Sequence, residues 1–182
     1  MIKPDAKELY HKHIKELNSS WCPVPWGQIS VHNSGEYRSC IQARSCKKTK
    51  GILRDESGTI MRADTHNIDD VRNSPLLKDV RKSMLGGVQH EMCVRCNRED
   101  KADVPSRRRN AIIEYYDKYN YDYWKAVSHC HEDGQLMLHE SDVLEYDIRL
   151  GNLCNLRCKM CHPSESTCLL YTSDAADDGL CV

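Results

Sequence analysis

Residues 143–161 read VLEYDIRLGNLCNLRCKMC. Val143 to Leu150 interleave apolar with charged residues, which predicts a β-strand. Cys154, Cys158 and Cys161 follow at once as C-x3-C-x2-C. Three thiolates are one short of the set that closes a tetrahedral structural zinc site. They are the right number to hold three irons of a [4Fe–4S] cluster and leave the fourth open to substrate or cofactor. The competing assignment is a zinc knuckle that takes His162 or His129 as its missing ligand.

A second cysteine group lies toward the N-terminus. Between Cys22 and Cys40, the alternating Ile29 and Val31, the Asn33-Ser34-Gly35 turn and the following Tyr37 predict a β-hairpin. The hairpin brings Cys22 toward Cys40 with Gly35 in its turn, and Cys93-x2-Cys96 adds two more thiolates. Four thiolates saturate either a zinc ion or a [4Fe–4S] cluster, so spacing leaves both open. Cys46 fits neither group and reads as a spare thiol.

Around these groups the chain alternates short elements. Leu9, Ile14 and Leu17 predict a surface helix over residues 4–18. A further hairpin is expected about Asp55-Glu56-Ser57-Gly58, between Ile52-Leu53 and Ile60-Met61. Asn67 can cap a helix carrying Ile68 and Val71. Ser74-Pro75 opens another, with Leu76, Leu77, Val80 and Met84 as its stripe and Gly86-Gly87 as its end. Cys93 to Cys96 falls in a polar loop, and one long helix is predicted from about Ser106 to Val127. Residues 129–141 read as a polar linker in which His129, Cys130 and His131 find no partner pair. Arg107-Arg108-Arg109 reads as a solvated first helical turn, against the sign of the helix dipole. Contact with nucleic acid or a peptide carboxylate is the other reading of those arginines. Tyr115, Tyr116, Tyr119, Tyr121, Tyr123 and Trp124 read as a half-buried helix face rather than a base-stacking platform.

Charge and composition narrow the class. Lys and Arg number 26 against 27 Asp and Glu over 182 residues, which argues against a polyanion-binding tail. No apolar run approaches the ~20 residues a membrane helix needs, and the charged N-terminus has no secretory h-region. Eleven cysteines without an export signal point to metal or cluster ligation in a cytoplasmic protein rather than to disulfides. There is no glycine-rich phosphate loop, nucleophile elbow or H-E-x-x-H.

DIRLGNLCNLRCKMC (147–161) resembles the first strand and cluster loop of radical S-adenosylmethionine enzymes. The resemblance implies that Cys154, Cys158 and Cys161 hold a [4Fe–4S] cluster whose open iron is chelated by S-adenosylmethionine. An electron from that cluster then cleaves the sulfonium, and the 5′-deoxyadenosyl radical abstracts a hydrogen atom. Met160 stands where an aromatic residue is commoner, at the position that packs near the adenine. Cys22, Cys40, Cys93 and Cys96, with CPVPW (22–26) and the hairpin-then-helix order, resemble the twitch (half-SPASM) module. That likeness implies a second, auxiliary [4Fe–4S] cluster on those four cysteines. The module usually follows the barrel, whereas here it precedes the cluster loop. A peptide or protein substrate and an electron donor such as flavodoxin or ferredoxin are implied too, with no membrane or nucleic-acid partner.

The expected architecture is thus an α+β or α/β fragment. It comprises an N-terminal helix (1–20), a twitch-like module of hairpin plus helix (21–100), a helical connector (101–141) and the start of a (β/α) barrel (142–167). Residues 168–182, CLLYTSDAADDGLCV, have no periodicity, cap or core and resemble a translated sequencing-library adapter. Cys168 and Cys181 are set aside as ligands on that ground, and the chain is expected to be a truncated fragment, inactive alone. Val143 to Leu150 would then be a first barrel strand without a parallel neighbour. The alternative to the enzyme is a non-enzymatic zinc-binding interaction module, with nucleic acid as its candidate contact.

Overall fold

Pro23 and Pro25 preset the first helical turn of the described residues. The Trp26 and Gly27 N–H groups donate to the Pro23 carbonyl, giving the one-turn helix α1 (Val24–Gly27), buried throughout. A computed structural model describes residues 19–121, 123–140, 143–149 and 151, with backbone alone for Arg44, Ser45 and Glu140. The predicted helix over 4–18, Cys154, Cys158, Cys161, Met160 and the segment 168–182 lie outside the described residues.

The hairpin follows α1 directly. Strand β1 (Gln28–Val31) pairs antiparallel with β2 (Tyr37–Arg38), Val31 opposite Tyr37, with Gly35 at positive φ between them. The segment after it meets the same edge through isolated bridges, Arg38 to Ile52 and Glu36 to Arg62. The turn at Asp55 is closed by its carboxylate, which accepts from the Ser57 and Thr59 N–H groups. Ile29, Val31, Tyr37, Leu53, Met61, Val71 and Leu77 make one apolar cluster beneath these strands. Burial of each aliphatic side chain there contributes about 1.5–3 kcal/mol.

Helix α2 (Ile68–Arg72) begins where the Asn67 side chain accepts from the Asp70 N–H. Helix α3 (Pro75–Leu85) buries Leu77, Val80 and Met84 on one stripe. It also buries Arg81, which is 0% exposed. That guanidinium donates to the carbonyls of Gly134, Pro25 and Arg72 at 2.6, 2.9 and 2.8 Å. Arg81 therefore anchors α1, α2 and residues 129–137 to one helix. Trp21, Trp26, Val80, Met84, Ile112 and Tyr123 form the second apolar cluster, with Trp21 edge-on to Tyr123 at 4.9 Å between ring centroids.

Several sequence expectations need correction. Cys93 and Cys96 are not in a loop: a 3-10 turn (Glu91–Cys93) runs into helix α4 (Val94–Lys101), and Cys96 lies in that helix. The single helix over 106–127 is two, α5 (Arg107–Tyr119) and α6 (Tyr123–Ser128). Asn120 stops α5 in the left-handed region at φ 46°. The reversal swings Tyr123 back, so its hydroxyl donates to the Ile112 carbonyl at 2.5 Å. Residues 129–137 are not a free linker, since Cys130 bridges Leu136 and Leu136 is buried.

The largest departure concerns the strand at the end. Strand β3 (Glu145–Ile148) does have a parallel neighbour, β1, in the order β2-β1-β3. The register pairs Gln28 with Glu145 and Val31 with Ile148. Leu144 enters over Gly27, where a Cβ would stand 3.4 Å from the leucine and 3.1 Å from Tyr115. The Leu144 N–H donates to the Gly27 carbonyl at 2.8 Å. Glu145 and Asp147 turn inward, while Tyr146 and Ile148 are more than half exposed, at 55% and 52%.

Candidate metal centre

Three separate segments bring cysteines to one cavity. Cys22 precedes α1, Cys40 precedes the 3-10 turn Ile41–Ser45, and Cys93 and Cys96 flank the start of α4. All four line a single cavity of about 30 Å³, together with Met84, Met92, Arg107 and Arg108. The helical turn between Cys93 and Cys96 matters, because residues three apart share a helix face. Every described cysteine is a free thiol.

Burial pushes all four thiols up, Cys40 to about 12. They also raise one another: Cys40 acts on Cys22, and Cys96 and Cys93 act on Cys40. Opposing this are N–H donors. Backbone N–H groups of Val24, Gln42 and Arg108 face Cys22, Cys40 and Cys96, and the Arg108 side chain faces Cys93. Donors aimed at sulfur favour thiolate over thiol, and at cluster ligands they also tune the reduction potential.

The arginines are not a solvated helical turn. Arg108 is 2% exposed and spans the ligand set. It donates to the Ser19 carbonyl at 2.7 Å, on the Cys22 side, and to Asn97 and Asp100 at 2.5 and 3.1 Å, on the α4 side. Arg107 donates to both Glu145 oxygens at 2.8 and 3.0 Å. The Nε–H of each arginine is buried without a partner. Two cations at a helix N-terminus are unfavourable on their own; beside four potential thiolates they balance charge. Arg109 does not line the cavity and pairs instead with Asp103. The sequence contained a clue in that dipole conflict, but no local pattern placed the cysteines next to it.

The donor set fits a thiolate-bound centre in chemistry: four free thiols, N–H donors toward sulfur, two guanidinium groups and apolar walls. The space is tighter. As the side chains stand, the cavity takes one or two waters, and among the described residues no three His, Cys, Asp or Glu side chains are arranged to hold one metal ion. A multi-iron centre needs more room than this, and Met84 and Met92, which line the cavity, carry the flexible thioether side chains best able to yield. Cys46 lies outside this cavity. Burial raises its thiol, but N–H and O–H donation from Thr49 and N–H donation from Lys48 outweigh that and lower it. Cys130 is likewise apart from the four, beside Arg81.

Among the described residues no helix is long and apolar enough to cross a membrane. Compared with protein-family models, curated proteins and solved structures, the chain matches none of them.

Proposed function

We propose that the chain belongs to a radical S-adenosylmethionine enzyme and that residues 21–100 are its auxiliary-cluster module. The observation that carries this reading is the convergence of Cys22, Cys40, Cys93 and Cys96 on one cavity walled by Arg107 and Arg108. In this reading those four cysteines hold an auxiliary [4Fe–4S] cluster, and Cys154, Cys158 and Cys161 hold the cluster that binds S-adenosylmethionine. The chemistry supplied at the three-cysteine site is one-electron cleavage of S-adenosylmethionine. The described residues have a positioning role in this reading: β3 leads along the chain toward the segment with the three cysteines, and Val24 and Met84 give the four-thiol cavity apolar walls. A peptide or protein substrate, a flavodoxin or ferredoxin donor and a cytoplasmic setting complete the proposal.

Anaerobic reconstitution with iron and sulfide tests it. The expected product is brown, with about eight irons per chain for two clusters. Cys22→Ala should remove about half of that iron, and Cys158→Ala should remove the rest independently. A colourless protein that retains zinc, bound at the four cysteines, would replace this reading with a zinc-binding interaction module, which the small cavity suits.

A further inference from the structure

Arg107 both lines the four-cysteine cavity and grips β3. Its nitrogens differ in what they bond. Nη2 donates to both carboxylate oxygens of Glu145, Nη1 donates to Glu114 at 3.3 Å, and Nε is buried without a partner. Glu145 opens β3, opposite Gln28 at the start of β1. Cys154 stands three residues beyond Gly151 in the sequence.

We propose that Arg107 is a positioning residue that couples what the four-thiol cavity holds to the docking of β3, the strand that leads to Cys154, Cys158 and Cys161. The inference rests on reading Cys22, Cys40, Cys93 and Cys96 as ligands, with either metal. Four thiolates around a zinc ion, or around a cluster core of charge +2, leave a net charge of about −2. Cys40 and Cys22 are the thiols that act most on the Arg107 charge. Filling the cavity therefore sets negative charge beside a cation with a spare donor. That charge holds the guanidinium at the cavity wall while Nη1 and Nη2 keep their carboxylates, so the guanidinium loses freedom and its hold on Glu145 tightens. Linkage makes the effect reciprocal: loosening Glu145 weakens what the cavity holds.

Neighbouring contacts lack this geometry. Arg108 bonds Ser19, Asn97 and Asp100, none of them on β3. Other ties of β3, the ladder to β1, the Tyr115 hydroxyl beside Glu145 and the Ser30 hydroxyl donating to Asp147 at 3.1 Å, involve no residue that lines the cavity.

Hydrogen exchange of the peptide covering 143–149, in the whole 182-residue chain, provides the test. Exchange is compared without metal, with zinc alone, and after anaerobic loading with iron and sulfide. Loading should slow exchange in this peptide by about five-fold or more, and Arg107→Met should abolish the difference. If Arg107→Met does not fold or load, Glu145→Gln carries the same test, because it leaves every cavity-lining residue in place. A loading effect that survives either variant overturns the inference, as does a loaded wild-type chain whose 143–149 exchange is unchanged. Zinc loading that slows exchange while iron is refused would sustain the coupling and sink the cluster reading. A cavity that takes neither metal would overturn both.

Discussion

Cys22, Cys40, Cys93 and Cys96 are held neutral by burial, so each must give up a proton to bind metal. We expect zinc affinity to climb with pH below the thiol range, with about four protons released per site. Calorimetry in buffers of different ionisation enthalpy checks this, and release of one proton or none would refute it. Without metal the sign is equally definite. A thiol raised on folding adds stability that is complete below its ordinary value near 9, and that stability is lost as pH rises through the folded value, about 12 for Cys40. Urea midpoints of the metal-free chain should therefore fall above pH 9, and those of the zinc-loaded chain should fall less. Arg108→Met strands Asp100 and the Ser19 carbonyl and should cost about 3–5 kcal/mol, read from urea melts without metal. The four cysteines could be picked out from the sequence because a hairpin relates Cys22 to Cys40, C-x2-C pairs Cys93 with Cys96, and together they resemble a known module. Arg107 and Arg108 could not, because a charge run looks like surface until its distant partners are known.

Among the elements, the loop 129–137 is where shape matters most. Gly134 sits at φ 88°, and a Cβ there would lie 2.0 Å from the Lys78 carbonyl oxygen of α3. Its own carbonyl accepts from Arg81, so this segment cannot move off α3 without exposing a buried guanidinium. Gly58 has nearly the same φ, 87°, but nothing within 4 Å of the added carbon. Gly134→Ala should cost about 3–5 kcal/mol, backbone strain plus overpacking. Gly58→Ala should cost only about 1–2 kcal/mol, the left-handed term alone. Thermal melts of the two variants should separate clearly, and equal shifts would contradict the packing described. Apolar spacing identified α3 and the hairpin in advance, since both follow a regular period. It ran α5 and α6 together because Tyr116, Tyr119 and Tyr123 keep helical spacing straight through the left-handed Asn120.

At the scale of the whole molecule, the candidate ligands join segments from Cys22 to Cys96, so what they hold should act as a staple. Zinc at 100 times its dissociation constant should add about 2.7 kcal/mol to unfolding. Chelation should reverse the gain, and Cys22→Ala should abolish it. Differential scanning calorimetry decides. The parallel β1–β3 pair was not readable beforehand, for its partners are 117 residues apart and neither strand's pattern encodes the other. That distance also imposes an order of assembly during synthesis. At about 5–20 residues per second, 117 residues take about 6–23 s to add. For all that time the nascent chain carries β1 with an open edge, a site of mispairing, and for the last 49 residues of it, about 2–10 s, Cys22, Cys40, Cys93 and Cys96 have all been made. Metal delivered in this interval would meet a complete set of ligands before the sheet closes, and the late strand would arrive at a surface already charged to receive it.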